Sequence, residues 1–132
     1  MKISATLNNK FNKHEITVNS NGTSKTITIP PKATGYGSSA NGAELLLVSL
    51  ATCYCNDIYR EAAKRKIEVT EVSVEFTCDF GAEGEPGTNF QYRPVIKSNA
   101  LPEEIEELIR YTDSIAEIHK TLRLGAAITL LT

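Results

Sequence analysis

The sequence predicts an α+β fold, and three observations predict it. Apolar residues recur at period two over the first thirty positions and again over positions 68–80, which is the spacing of half-buried strands. Between these stretches, a segment free of proline and glycine runs from Ala43 to about Lys66, long enough for a six-turn helix. A second helix signal, Pro102 followed by Glu103, Glu104, Glu106 and Glu107, comes late in the chain, so strands and helices are segregated in sequence.

In the first stretch Ile3, Ala5 and Leu7, then Ile16 and Val18, then Ile27 and Ile29 alternate with polar residues. Asn8-Asn9 and Asn19-Ser20-Asn21-Gly22 are read as the turns between them, giving a three-stranded antiparallel meander. The next segment, PPKATGYGSSANG, carries too many prolines and glycines for a regular element and reads as an exposed loop containing Tyr36. Loops of this length often carry function, so Tyr36 is a candidate wall of a substrate pocket, although it equally serves to cover apolar surface.

Asn41 is placed to cap the long helix, with Glu44 in its first turn at the positive end of the helix dipole. Residues 45–54 are apolar or small on nearly every face, which predicts burial all round, whereas residues 56–66 are amphipathic with Ile58 and Ala62 inward. Lys64-Arg65-Lys66 gives the end the favourable positive charge. Beyond it, Val72, Val74, Phe76 and Cys78 share one face of a strand, GAEGEPGTN forms a loop, and Phe90 to Lys97 returns, with Pro94 arguing for an edge or a bulge. Ile105, Leu108, Ile109 and Tyr111-Thr112 are the inward side of the second helix, and after a short segment from Ile115 to Leu122, Ala126 to Leu131 is expected to be a last strand. The expected order is βββ-α-ββ-α-β in one domain over 1–132, with the long central helix packed on antiparallel sheet.

At 132 residues, with 41% hydrophobic and 23% charged residues and a net charge of -2, the chain is large enough for one core, and nothing favours a nucleic acid partner or a membrane. Its start, MKISATLNNKFNKHE, lacks the apolar run of a signal peptide, so the expected location is cytoplasmic. Three cysteines are too few for a disulfide scaffold, and Cys53 and Cys55 have no second Cys/His cluster for a metal, so neither metal nor cofactor is expected.

The string GAELLLVSLATCYCNDI, with its Glu-Leu-Leu and Ala-x-Cys pattern inside the long helix, resembles the OsmC/Ohr family of hydroperoxide-resistance proteins. KTLRLGAAITL is similar to the family's closing Leu-x-x-Gly-x-x-Ile-x-Leu stretch. The resemblance implies an intertwined homodimer with sites at the subunit interface, and a thiol-dependent hydroperoxide reductase in which a thiolate becomes a sulfenic acid. Cys53 matches the family's first cysteine, and Glu44 matches the helix-start carboxylate that holds a catalytic arginine.

Two departures accompany the match. No arginine precedes Arg60, leaving Lys10, Lys13, Lys25 and Lys32, and lysine lacks the planar fork for a bidentate contact. Arg60 lies two turns from Cys53, about 10 Å along the helix, and reaches the thiol only by folding back. Where the family's resolving cysteine stands, this chain reads Ala116-Glu117-Ile118-His119-Lys120, so an external thiol reductant is expected. Cys55 points about 200° away from Cys53 on the helix, and Cys78 is the remaining partner candidate. His119 is expected on a polar helix face, with a proton-relay role as its functional alternative. The rival to peroxidase chemistry is a degenerate family member that binds a small apolar or acyl-type ligand at the dimer interface; a third possibility is an interaction protein that only dimerises.

Overall fold

Asparagines decide where the first strands reverse, because they tolerate the left-handed backbone region that two-residue hairpins require. In the computed structural model, which describes residues 1–132, β1 (Ile3–Lys10) and β2 (Lys13–Ser20) turn at Phe11-Asn12, where Asn12 has φ 56°. Asn8 and Asn9 therefore sit inside β1 rather than in the turn expected of them, and Asn12 takes the left-handed position. Asn21 and Gly22, at φ 49° and 83°, join β2 to β3 (Thr23–Ile27). The antiparallel order is β1-β2-β3, in register Leu7 with Ile16 and Ile16 with Ile27.

Contacts divide the chain into two compact units, Met1–Leu45 and Leu46–Thr132. The first holds β1 to β3, the loop after them and the start of α1 (Gly42–Lys64). Within that loop, Asn9 binds the backbone of Gly37 in both directions, at 2.9 and 3.2 Å, and its amide lies 2.9 Å from His14 Nδ1. At the start of α1 the Asn41 side chain accepts from Glu44 N at 2.8 Å while Glu44 Oε1 accepts from Asn41 N at 2.9 Å, a reciprocal capping box.

The second unit is built on the rest of α1. Tyr54, Ile58 and Ala62, spaced by four, form one buried stripe with Leu108 and Ala116. Against them pack Val72 and Val74 of β4 (Val69–Asp79) and Tyr92 and Ile96 of β5 (Thr88–Ser98), an antiparallel pair. Pro94 sits opposite Val74 on β5, which has β4 as its sole neighbour, so the missing amide proton falls on an edge strand. Helix α2 (Pro102–Ile115) brings Leu108 and Thr112 inward, and Glu104 accepts from Leu101 N at 3.0 Å to close its first turn. Tyr111, expected inward beside Thr112, is instead half-exposed, with the Arg65 guanidinium stacked 4.6 Å from its ring. No helix is long and apolar enough to cross a membrane.

Two further expectations are corrected. The leading half of α1 is not buried all round: Leu50 is buried, but Leu45 and Val48 face outward, because β4 and β5 cover only one side of the helix. The last strand is also absent. After α3 (Glu117–Arg123) and Gly125, residues 126–132 form no ladder, since neither β4 nor β5 accepts their hydrogen bonds; Ile128 is 99% exposed.

Helix α1 ends in a Schellman motif. Ile67 N donates to Ala62 O at 2.9 Å and Lys66 N to Ala63 O at 3.1 Å, with Lys66 itself at φ 56°. A left-handed residue with a Cβ costs roughly 1–2 kcal/mol, part of which glycine returns through its freer unfolded chain. Lys66→Gly is therefore expected to stabilise the protein by about 0.5–1 kcal/mol, whereas Ile58→Ala, which empties a fully buried site, should cost about 2–5 kcal/mol; urea unfolding curves read both.

Candidate functional site

Spacings of four and three return to the same side of a helix, and α1 uses them to line up a thiol, a carboxylate and a guanidinium. Cys53 is half-buried, and its Sγ donates to Asp57 Oδ2 across 3.8 Å. The Asp57 carboxylate is only 4% exposed, and its other oxygen meets Arg60 Nη1 at 2.8 Å. Arg60 also donates through Nε to Glu61 Oε1 at 3.2 Å, and Lys64 reaches the same oxygen at 2.9 Å. The hydrogen bond to Glu61, ahead of the nearby Asp57 charge, raises the Arg60 pKa above its ordinary value despite some desolvation. Arg60 thus does fold back along its helix, and it stops at Asp57 rather than at the sulfur.

A buried carboxylate is tolerated only when paired, and Arg60 is the partner that Asp57 has. Thiol, carboxylate and guanidinium thus form one chain of contacts, with Asp57 between the other two. Asp57 was legible as the residue four after Cys53, yet attention to distant cations passes over it.

The second cluster lies where α3 meets β4, β5 and α1. Ala116 and His119, three residues apart, share the buried face of this short helix, which is why His119 does not take the polar face expected of it. Its ring is stacked on Tyr54 with centroids 5.7 Å apart, and meets Phe76 at 5.5 Å and Tyr92 at 5.0 Å edge-on. Neither ring nitrogen has a hydrogen-bond partner within the chain. Burial, then the Arg123 charge, pushes the His119 pKa below its ordinary value, against the opposite pull of Asp113 and Asp57.

Beside it the Tyr92 hydroxyl donates to Asp113, whose same oxygen lies 2.8 Å from Arg123 Nη2. Burial works against the Asp113 carboxylate, but the hydrogen bonds from Arg123 and Tyr92 win and hold its pKa below the usual range. Burial is also the main cause that pushes up the pKa values of Tyr54 and Tyr92, so both phenols stay protonated. A cavity of about 400 Å³ opens next to this network, walled by Leu46, Leu50, Phe76, Phe90 and Leu122, with Tyr92, His119 and Arg123 as its polar side chains. Sequence reading missed Tyr92, Asp113 and Arg123, which stand on three different elements and share no local pattern.

The remaining candidates are placed as follows. Glu44 is engaged at the start of α1 and makes no ion pair. Cys78 is half-buried on the inward face of β4, and all three cysteines are free thiols. Cys55 lies beside Val72 and Val74 in a shallow hollow. Tyr36 is 65% exposed and packs on Phe11, with centroids 5.4 Å apart.

The model of a known family, described as OsmC-like protein, matches residues 35–131. The chain belongs to the OsmC family. Among solved structures it resembles an OsmC-like protein from Mycoplasma pneumoniae, with 23% identity and a TM-score of 0.63, covering 92% of this chain and 86% of that one. It is also similar to an organic hydroperoxide resistance protein OsmC from Legionella pneumophila, at 18% identity and TM-score 0.59, covering 93% and 90% of the two chains. The organic hydroperoxide resistance protein OhrB of Bacillus subtilis aligns at 17% identity and TM-score 0.54, covering 92% of each chain. No curated protein gives a significant match. At these identities the neighbours establish the OsmC fold.

The buried imidazole makes stability pH-dependent. A histidine whose folded pKa is depressed binds fewer protons folded than unfolded, so its contribution is present above about 6.5 and is lost as pH falls below that value. Between pH 7.5 and 5.5 the wild type should lose more stability than His119→Phe, as read by urea midpoints. Asp113, with a depressed carboxylate pKa, acts only at lower pH and does not confuse this window.

Proposed function

We propose that this OsmC-family chain is a thiol-dependent hydroperoxide reductase, working as a homodimer in a reducing cytoplasm, with the Cys53 sulfur as its reacting atom. The observation that carries this reading is the contact of the Cys53 thiol with a buried carboxylate that Arg60 neutralises. Asp57 accepts the thiol proton, and the thiolate attacks one peroxide oxygen. A sulfur–oxygen bond forms while the oxygen–oxygen bond breaks, and the departing alkoxide takes the proton back from Asp57 as an alcohol. The sulfenic acid left on Cys53 condenses with one external thiol, releasing water, and a second thiol displaces Cys53 from the mixed disulfide.

An external reductant is needed because 116–122 contains no cysteine. Glu44 holds the start of the helix that presents Cys53. Assembly with a second copy is supported by uncovered apolar residues on β1 and β3, Ile3, Leu7 and Ile27, and by the exposed tail residues Ile128, Leu130 and Leu131. Neighbours described as hydroperoxide resistance proteins support the reaction class.

With cumene hydroperoxide and dithiothreitol, Cys53→Ser should lower peroxide consumption by roughly 100-fold or more, and Asp57→Asn by roughly 10- to 100-fold. Dimedone should label Cys53 alone among the three cysteines. Full turnover in Cys53→Ser, or no labelling of Cys53 under peroxide, removes the reading. The second reading, a family member that binds a small apolar ligand in place of peroxidase chemistry, is favoured by the aromatic-walled cavity beside His119.

A further inference from the structure

We infer that the cavity walled by Leu46, Leu50, Phe76, Phe90 and Leu122 binds a small uncharged aromatic molecule bearing one hydroxyl group, and that His119 recognises that hydroxyl. This deepens the ligand-binding reading above and does not depend on turnover at Cys53, which does not line the cavity.

Three features of the site define the ligand. Its size, about 400 Å³, lies at the lower end of small-molecule pockets and admits a substituted aromatic ring. Its walls are hydrocarbon and aromatic faces, with Phe76 and Tyr92 stacked at 4.6 Å, so the body of the ligand is apolar and flat enough to lie against rings. Its charge selectivity follows from Arg123, which lines the cavity but is already paired with Asp113 at 2.8 Å and hydrogen-bonded to the Asp113 carbonyl at 3.1 Å. No unpaired positive charge is left to hold a carboxylate or a phosphate, and the desolvation of either would go uncompensated.

The head group is set by His119. The residue is 5% exposed, lines the cavity and leaves both ring nitrogens without a partner in the chain. Leaving buried polar atoms unpaired is costly, and native structures seldom do it without a reason. Held neutral by burial and by Arg123, the imidazole has one N–H to donate and one bare nitrogen to accept. A hydroxyl, which both donates and accepts, satisfies either nitrogen in either tautomer; a carbonyl satisfies only one tautomer of a given nitrogen, and a hydrocarbon satisfies none.

The test uses 4-propylphenol, propylbenzene and 4-propylbenzoate as probes that share one propylphenyl body, with full-length Cys53→Ser protein so that no peroxide chemistry intervenes. The chain has only two histidines, and His14 Nδ1 is already engaged by Asn9, so the His119 ring nitrogens can be followed by long-range ¹⁵N spectroscopy. The phenol should saturate, shift a His119 ring nitrogen and bind roughly tenfold more tightly than propylbenzene, with the benzoate weakest. In His119→Phe the phenol and the hydrocarbon should bind alike, and Leu46→Trp, which narrows the cavity, should weaken binding of all three. Equal affinities in the protein with His119 intact, an unmoved His119 signal, tightest binding of the benzoate, or no binding of any probe because a second copy covers the cavity would each overturn the inference. Peroxidase activity in the Cys53-containing protein is measured separately, so loss of one reading leaves the other standing.

Discussion

The second unit depends on the packing of Tyr54. Its ring is fully buried, lies 5.0 Å from Tyr92 of β5 and 5.7 Å from His119 of α3, and its hydroxyl donates to the Ile109 carbonyl of α2 at 3.1 Å. One side chain of α1 thereby contacts three other elements, and each contact fixes a different wall of the cavity or its neighbour. A phenol suits this place because it fills a large volume and still satisfies its polar end; an aliphatic residue would fill the space and leave the Ile109 carbonyl without this donor. Cys53 and Asp57 flank Tyr54 on the same helix, so the register that seats the ring also sets where the thiol and its carboxylate point.

That helix carries two incompatible demands on its two sides. The stripe of Tyr54, Ile58 and Ala62 serves the core, while Cys53, Asp57, Arg60, Glu61 and Lys64 form a row in which acid and base alternate. Asp57 and Glu61 are 4% and 3% exposed, values that would be prohibitive for lone charges. The arrangement is workable because their partners are long side chains rooted one turn or less away, half-exposed themselves, so each cation keeps much of its hydration while reaching the buried oxygen. Such pairs add little to stability by comparison with hydrocarbon.

Sequence periodicity was a sound guide wherever one face of an element is buried. The alternation of Val72, Val74, Phe76 and Cys78 on β4, and the inward Ile58 and Ala62, follow from the pleat and from the helical turn with no tertiary knowledge. It was a poor guide to Leu45 and Val48, where an apolar sequence marks a surface left uncovered within one chain. The thiol and its carboxylate were in reach of sequence logic because they are four apart on one helix. The cavity network was not: Tyr92, Asp113 and Arg123 come from β5, α2 and the end of α3, and only the folded backbone makes them neighbours. His119 was noticed for its chemistry and misplaced for its surroundings, since a flat ring three residues after a buried alanine packs as an aromatic side chain would.

The inventory of hydrogen bonds and apolar surface does not close within one chain. A two-stranded sheet is marginal by itself, and β4 and β5 each leave a free edge. The tail after Gly125 carries Ile128, Leu130 and Leu131 with no ladder to join, at exposures of 85–99%. An exposed apolar segment and an open edge are both aggregation hazards for a solitary molecule. Both deficits would be met by one event, pairing between copies, because an isologous contact supplies an edge and a cover at two equivalent places at once. The same event would determine what surrounds the outward side of α1, including the half-buried Cys53. On this reasoning the proposed dimer and the proposed chemistry are linked: the accessibility of the thiol to peroxide and reductant is a property of the assembly, while the contact between Cys53 and Asp57 belongs to the single chain.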